Sequence, residues 1–299
     1  MWYARAAGLL SALAFACCSS SGGAPSDLGP PDMTPPSDQQ LLASRPYTAT
    51  PPPGYDAAKK WPLLIGLAGY GGRGFDTTHY LGFDQVATDQ GAFLVTPDGM
   101  LDSRGNYAWN PEPDQFPQFD VQYLTAIIHD VEANYSIDHG RVFIVGHSLG
   151  AHMAHRMGCD ASADVAATMS LAGQVAKDPA DCAPAQAVSV LQIHGTADTV
   201  IGYNGDVQND PPDPTIPSAH ETVAVWARND HCTGAIAATG ATLHLDSSLT
   251  GNETTIEAYA GCPPGIGVEL WSIVGGSHSP QVTKQFAPTV WTFLTAHAR

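Results

Sequence analysis

The chain has 299 residues, with 12 Lys+Arg against 29 Asp+Glu and a formal net charge of −17. That balance excludes a phosphate-tracking nucleic-acid binder, which needs a dense basic face to displace counterions. A hydrophobic fraction of 43% is enough for a buried core, and 14% charged residues is low for a cytosolic protein but ordinary for an exported one, while collagen-like, coiled-coil and multi-pass membrane architectures fail on the same composition.

At the N-terminus Arg5 precedes an apolar run of eleven residues at 6–16, short of the ~20 needed to cross a bilayer, and residues 1–16 read as an export signal peptide. The run ends Ala14-Phe15-Ala16 before Cys17-Cys18. That pattern fits an A-x-A cleavage site, and it also fits a lipoprotein signal with a lipid anchor on Cys17, although Ala14 stands where a lipobox usually has Leu. Residues 17–40 are rich in Ser, Gly and Pro and poor in large apolar groups, the composition of a disordered linker, so the folded domain is expected over 41–299. Four cysteines remain beyond the linker, Cys159, Cys182, Cys232 and Cys262. In an oxidising compartment an even set is expected to pair, with three connectivities open from sequence, and no C-x-x-C spacing suggests zinc.

Along the domain, short apolar runs alternate with helical periodicity. Strands are predicted at 61–67 (WPLLIGL), 92–96 (AFLVT), 141–145 (RVFIV), 188–193 (VSVLQI) and, more weakly, 166–171. A helix is predicted at 120–135, with Val121, Leu124, Ile127, Ile128, Val131 and Tyr135 on one face. Two more are predicted at 218–229 and 283–297, the last turning Phe286, Val290, Phe293 and Leu294 inward. Such alternation predicts one α/β domain with a mostly parallel central sheet and helices on both faces.

The chemistry concentrates at Gly146-His147-Ser148-Leu149-Gly150, a G-x-S-x-G directly after an apolar strand and before a helix-compatible run. In that context the turn lifts the Ser148 hydroxyl above the sheet and aims the helix N-terminus at a developing oxyanion. A serine hydroxyl is a weak nucleophile, so a base and an orienting carboxylate must be supplied elsewhere. Asp198, in His194-Gly195-Thr196-Ala197-Asp198 past the strand at 188–193, fits the acid, and His278, in Gly275-Gly276-Ser277-His278 after the apolar run at 268–274, fits the base. Asp206 is the weaker alternative for the acid, because it lies in NGDVQNDPPDP, a solvated loop whose oxygens lack a calcium-ligand spacing.

Residues 45 to the C-terminus resemble the secreted α/β-hydrolase esterases grouped with polyhydroxybutyrate depolymerases, feruloyl esterases and acetyl-xylan esterases. The resemblance is carried by RPYTATPPPGYDAAKKWPLLIGLAGYGG, YSIDHGRVFIVGHSLGAHMA, LQIHGTADTVIGY and VGGSHSPQ. It implies an α/β-hydrolase fold, Ser148 as nucleophile, Asp198 as acid and His278 as base, and the disulfides Cys159–Cys182 and Cys232–Cys262. An ester, small or polymeric, is the implied substrate, and no metal or organic cofactor is expected. The expected oxyanion hole is the backbone amides of Tyr70 and Leu149. Two departures stand out: Ala68-Gly69 where relatives usually read His-Gly, and Ser279-Pro280 in place of a Trp-Pro pair after the base. They leave open an alternative, a hydrolase-fold surface module that binds glycan or polymer with little or no catalysis.

His147 and Trp109 are candidate cleft residues, Trp109 with a loop-anchoring role as its competing reading. His152 and His155 share a helix face but lack a carboxylate neighbour to make a metal site. Trp226, Trp271 and Trp291 are expected in the core, and His194 is expected to hold the turn near Asp198.

Overall fold

The computed structural model describes residues 36–111, 119–176, 178–205 and 216–299. The expected signal peptide, Cys17 and most of the linker therefore lie outside the described residues. Ser37 caps a helix that opens at Asp38, three residues before the expected domain boundary, through a reciprocal capping box with Gln40.

In chain order the elements are α1 (Asp38–Ser44), β1 (Ala49–Thr50), β2 (Trp61–Leu67), α2 (Gly74–Leu81), α3 (Phe83–Gln90), β3 (Phe93–Val95), β4 (Met100–Leu101), β5 (Tyr107–Ala108) and α4 (Asp120–Asn134). They continue with β6 (Ile137–His147), α5 (Leu149–Asp160), β7 (Ala167–Leu171), β8 (Ser189–Gly195), α6 (Ala219–Asn229), β9 (Ile236–Leu243), β10 (Thr254–Tyr259), β11 (Val268–Ile273) and α7 (Phe286–Ala296). Among the described residues the main sheet runs β1-β3-β2-β6-β7-β8-β11-β10-β9, and β4 and β5 form a separate hairpin. The strands from β3 to β11 in that order are parallel, and β1, β10 and β9 join antiparallel at the two edges.

The central strands are buried on both faces, so their residues feed two cores. Leu63, Ile65 and Leu67 of β2, with Val142 and Ile144 of β6, pack with α4, α5 and α6. Leu64, Phe143 and Val145 face the other way, onto α3 and α7. This is the expected α/β-hydrolase architecture, with helices on both faces of a mostly parallel sheet.

Three differences from the sequence reading have physical causes. The face of α4 includes Tyr123, which is fully buried, while Val121 is only partly covered. Tyr123 turns inward because the Arg45 guanidinium lies 3.9 Å from its ring centroid and pairs with Asp120 at the start of the helix. The last helix starts at Phe286 rather than 283 because Val282 and Thr283 are tied in bridge pairing to 244–246, with Val282 opposite Asp246 and the Thr283 amide and hydroxyl donating to the Leu245 and His244 carbonyls. β6 reaches back to Ile137 through the polar stretch Asp138-His139-Gly140-Arg141, which carries no apolar periodicity.

Candidate active site

β6 and α5 meet at Ser148, whose φ of 54° and ψ of −121° lie outside the regions an L-residue prefers. Such a turn needs close backbone contact on both sides. A β-carbon on Gly146 would stand 2.1 Å from the Gly150 carbonyl oxygen, and one on Gly150 would stand 2.3 Å from that of Leu67. Glycine at both positions lets β2, β6 and α5 close around the serine, and the Ser148 amide donates to the Leu171 carbonyl at 2.9 Å.

Asp198 lies three residues past β8 and His278 five past β11, neighbouring parallel strands whose carboxyl ends point the same way. The two loops are joined by the Ala197 amide donating to the Gly276 carbonyl at 2.9 Å. Asp198 Oδ1 accepts from the amides of Val200 and Ile201 at 2.8 and 2.9 Å, which fixes the rotation of the carboxylate. Asp198 Oδ2 then faces His278 Nδ1 at 2.8 Å, and His278 Nε2 faces Ser148 Oγ at 2.9 Å. A carboxylate can only accept, so the proton sits on Nδ1, and Nε2 is left with a lone pair for the serine hydroxyl. Burial works against ionisation of Asp198, but hydrogen bonds from His194, His278 and the two amides outweigh it and hold the carboxyl well below the usual carboxylate range. The arrangement can draw the Ser148 proton onto an imidazole and stabilise the resulting imidazolium.

Leu149 is the first residue of α5, so its amide has no carbonyl four residues back in the helix. Gly69 packs against the serine, since a β-carbon there would lie 3.1 Å from Ser148 Cβ, and Tyr70 follows it. The Tyr70 hydroxyl donates to Asp102 Oδ2 at 2.6 Å and accepts from Asn106 Nδ2 at 3.0 Å, while the Gly71 amide donates to the Tyr107 carbonyl at 2.8 Å. These contacts moor the Tyr70 loop to the β4–β5 hairpin. His147 is half-buried beside the base: its Nε2 donates to the His278 carbonyl at 2.9 Å and burial lowers its pKa.

Trp109 does not line the cleft. It is 4% exposed and packs in the core with the Arg45 guanidinium 5.3 Å from its ring centroid, so it anchors its loop. Trp226, Trp271 and Trp291 are buried as expected. His152 contacts the Gln174 backbone while His155 contacts Gln192 and Trp226, so the two diverge, and burial pushes both pKa values down to about 4. Asp206 and the loop around it lie outside the described residues. The sequence reading missed Gln192, a polar residue in the middle of an apolar strand, and that position was itself the signal.

The exposed large apolar side chains among the described residues are Tyr70, Phe75, Met100, Leu101, Val200 and Val274. Each follows the carboxyl end of β2, β3, β8 or β11, the edge of the sheet that carries Ser148, Asp198 and His278.

A mostly parallel sheet with a serine on a strained strand-to-helix turn, followed in chain order by a carboxylate and a histidine, has the layout of the α/β-hydrolase fold. The Phospholipase/Carboxylesterase family profile matches residues 112–209. The chain is 29% identical over 235 residues to feruloyl esterase B of Piromyces equi, a match that covers 76% of this chain and 41% of that protein. It is 27% identical over 242 residues to the putative esterase NocK of Nocardia uniformis subsp. tsuyamanensis, covering 77% of this chain and 68% of that one. An acetyl xylan esterase from Aspergillus awamori superposes with a TM-score of 0.58 at 12% identity, over 84% of this chain and 93% of that one, a likeness of fold. The resemblance to the esterases read from the sequence therefore holds, and the disulfides Cys159–Cys182 and Cys232–Cys262 are formed as that resemblance implied.

Proposed function

We infer that the protein is an exported serine hydrolase of carboxylic esters. The observation that carries this reading is the unbroken row of hydrogen bonds from Ser148 Oγ through His278 to Asp198. Ser148 Oγ attacks the ester carbonyl carbon as its proton passes to His278 Nε2, and Asp198 holds the imidazolium by Nδ1–H. The negative charge that develops on the carbonyl oxygen is met by the backbone amides of Tyr70 and Leu149, at the N-terminus of α5. Collapse expels the alcohol, which takes the proton from His278, and leaves the acyl group on Ser148. Water then gives a proton to His278 and attacks the acyl carbonyl, and release of the carboxylic acid restores the serine.

The apolar side chains gathered at the same sheet edge favour esters with an apolar acyl or alcohol part over polyanions, which the net charge of −17 repels. Feruloyl, acetyl-polysaccharide and hydroxyalkanoate esters are the substrate types, in line with the names of the relatives. Export, by the signal at 1–16 with or without a lipid on Cys17, accords with two disulfides, which persist in oxidising compartments.

Turnover of p-nitrophenyl acetate and of a panel of those ester types tests the reading. Hydrolysis by the wild type that Ser148→Ala lowers by ~10⁵-fold or more supports it. Equal rates for the two proteins would refute it, as would binding of polymer without turnover of any ester.

A further inference from the structure

Asp198 is served by two imidazoles. Besides His278, the fully buried His194 brings its Nε2 within 3.2 Å of Asp198 Oδ2, while its Nε2–H donates to the Ile201 carbonyl at 2.9 Å. His194 Nδ1 faces the Gln192 side-chain amide nitrogen at 3.3 Å, and that nitrogen also donates to the Gly173 carbonyl at 2.9 Å. Gln192 Oε1 lies 2.9 Å from His155 Nε2, and His155 Nδ1 accepts from the Trp226 indole at 3.0 Å. All four side chains are buried, so bulk water does not compete for these contacts.

The direction of every bond in this row follows from its far end. An indole nitrogen only donates, so His155 Nδ1 carries the lone pair and its proton sits on Nε2. Gln192 must then turn its carbonyl to His155 and its amide hydrogens to His194. His194 accepts at Nδ1 and is left with its single proton on Nε2, where Asp198 and Ile201 both require a donor. Burial keeps His155 neutral, in agreement with its acceptor role toward Trp226.

We propose that the buried row Trp226, His155, Gln192, His194 is a positioning device for the acid: it makes His194 present an N–H rather than a lone pair to Asp198 Oδ2 and so supports the carboxylate orientation that the Val200 and Ile201 amides set. The four are positioning residues that act through Asp198. The proposal rests on the esterase reading for its catalytic consequence, but the tautomers it requires can be measured without any substrate.

Two arms test it. His194→Gln can place an amide N–H near the former Nε2, whereas the shorter His194→Asn cannot reach Asp198. With p-nitrophenyl acetate, His194→Asn should lower kcat by about tenfold or more with KM within about twofold, and His194→Gln should recover most of the loss. Equal loss in both, or wild-type kcat in both, would overturn the proposal. The second arm is nitrogen NMR of the imidazoles, with the downfield proton of His278 Nδ1 as a further reporter. The wild type should show His194 and His155 each as a single Nε2–H tautomer at neutral pH, and Trp226→Phe, which keeps most of the ring volume, should give mixed tautomers at His155. A charged or Nδ1-protonated His194 in the wild type, or a His155 unaltered by Trp226→Phe, would overturn it. Because this arm needs no turnover, a protein inactive on every ester would end the esterase reading while the resonances still decide the row.

Discussion

Ser148 keeps a positive φ that costs on the order of 1–3 kcal/mol, and Gly146 and Gly150 permit it by letting three backbones meet. Gly146→Ala should therefore displace the hydroxyl rather than merely loosen the turn. Its expected effect is a loss of ~10²-fold or more in kcat toward p-nitrophenyl acetate, because a shift of about 1 Å suffices for that. Asp198→Asn keeps the shape but turns a donor or a neutral oxygen toward His278 Nδ1, and steady-state kinetics should show kcat lower by about 10⁴-fold. Trp109 separates structure from catalysis. Trp109→Ala empties a site under Arg45 and should cost about 3–5 kcal/mol in chemical denaturation, with KM for small esters unchanged in the protein that remains folded.

At the scale of elements, what was legible in the sequence was what is buried on both sides. β2 matches its predicted span residue for residue, and β7 and β8 lie within one or two residues of theirs, because a parallel strand buried on both faces reads as a nearly continuous apolar run with few polar interruptions. The edge strand β9 and its neighbour β10 escaped because Ala, Thr and Gly dominate β9 with most of its residues exposed, and β10 is buried along its length only at Thr254. The short helices α2 and α3 escaped too: their apolar faces are narrow, and Gly82 serves as C-cap of one and N-cap of the other. Ser148, Asp198 and His278 were legible because each sits at a strand end behind an unmistakable apolar run. The row behind Asp198 was not, since Gln192, His155 and Trp226 come from β8, α5 and α6 and meet only after the sheet forms. The disulfide Cys232–Cys262 ties the end of α6 to the end of β10 over a separation of 30 residues. Replacing both cysteines by Ser should lower unfolding free energy by about 3–4 kcal/mol in urea titration.

For the whole molecule, buried titratable groups set the pH response. His152 and His155 titrate near 4 when folded and near 6.5 when unfolded, so the unfolded chain binds more protons between those values. Their stabilising contribution is complete above pH ~6.5 and is lost as pH falls toward 4, on the order of 3 kcal/mol each. Asp230 acts in the opposite sense. Its Oδ1 accepts from the Val188 amide, its Oδ2 is buried without a partner, and burial raises its pKa to about 7. The folded chain therefore holds that proton up to about pH 7, and the stability it lends is lost as pH rises from about 4 through 7. His147 is shifted by burial in the sense of the two histidines and Asp120 in the sense of Asp230, so the histidines still outweigh the carboxyls and the melting temperature should fall from pH 7 to pH 4.5. Asp230→Asn, which removes one opposing group, should make that fall steeper in calorimetry.

Ester hydrolysis here requires Ser148 to be an activated nucleophile, and covalent labelling reads that property directly. A fluorophosphonate probe, with the adduct mapped by mass spectrometry, should modify the wild type at Ser148 and at no other serine. Labelling should be abolished in Ser148→Ala and slowed by about 10³-fold or more in His278→Ala. A folded wild type that stays unlabelled, or a His278→Ala variant that reacts as fast as the wild type, would contradict an activated Ser148.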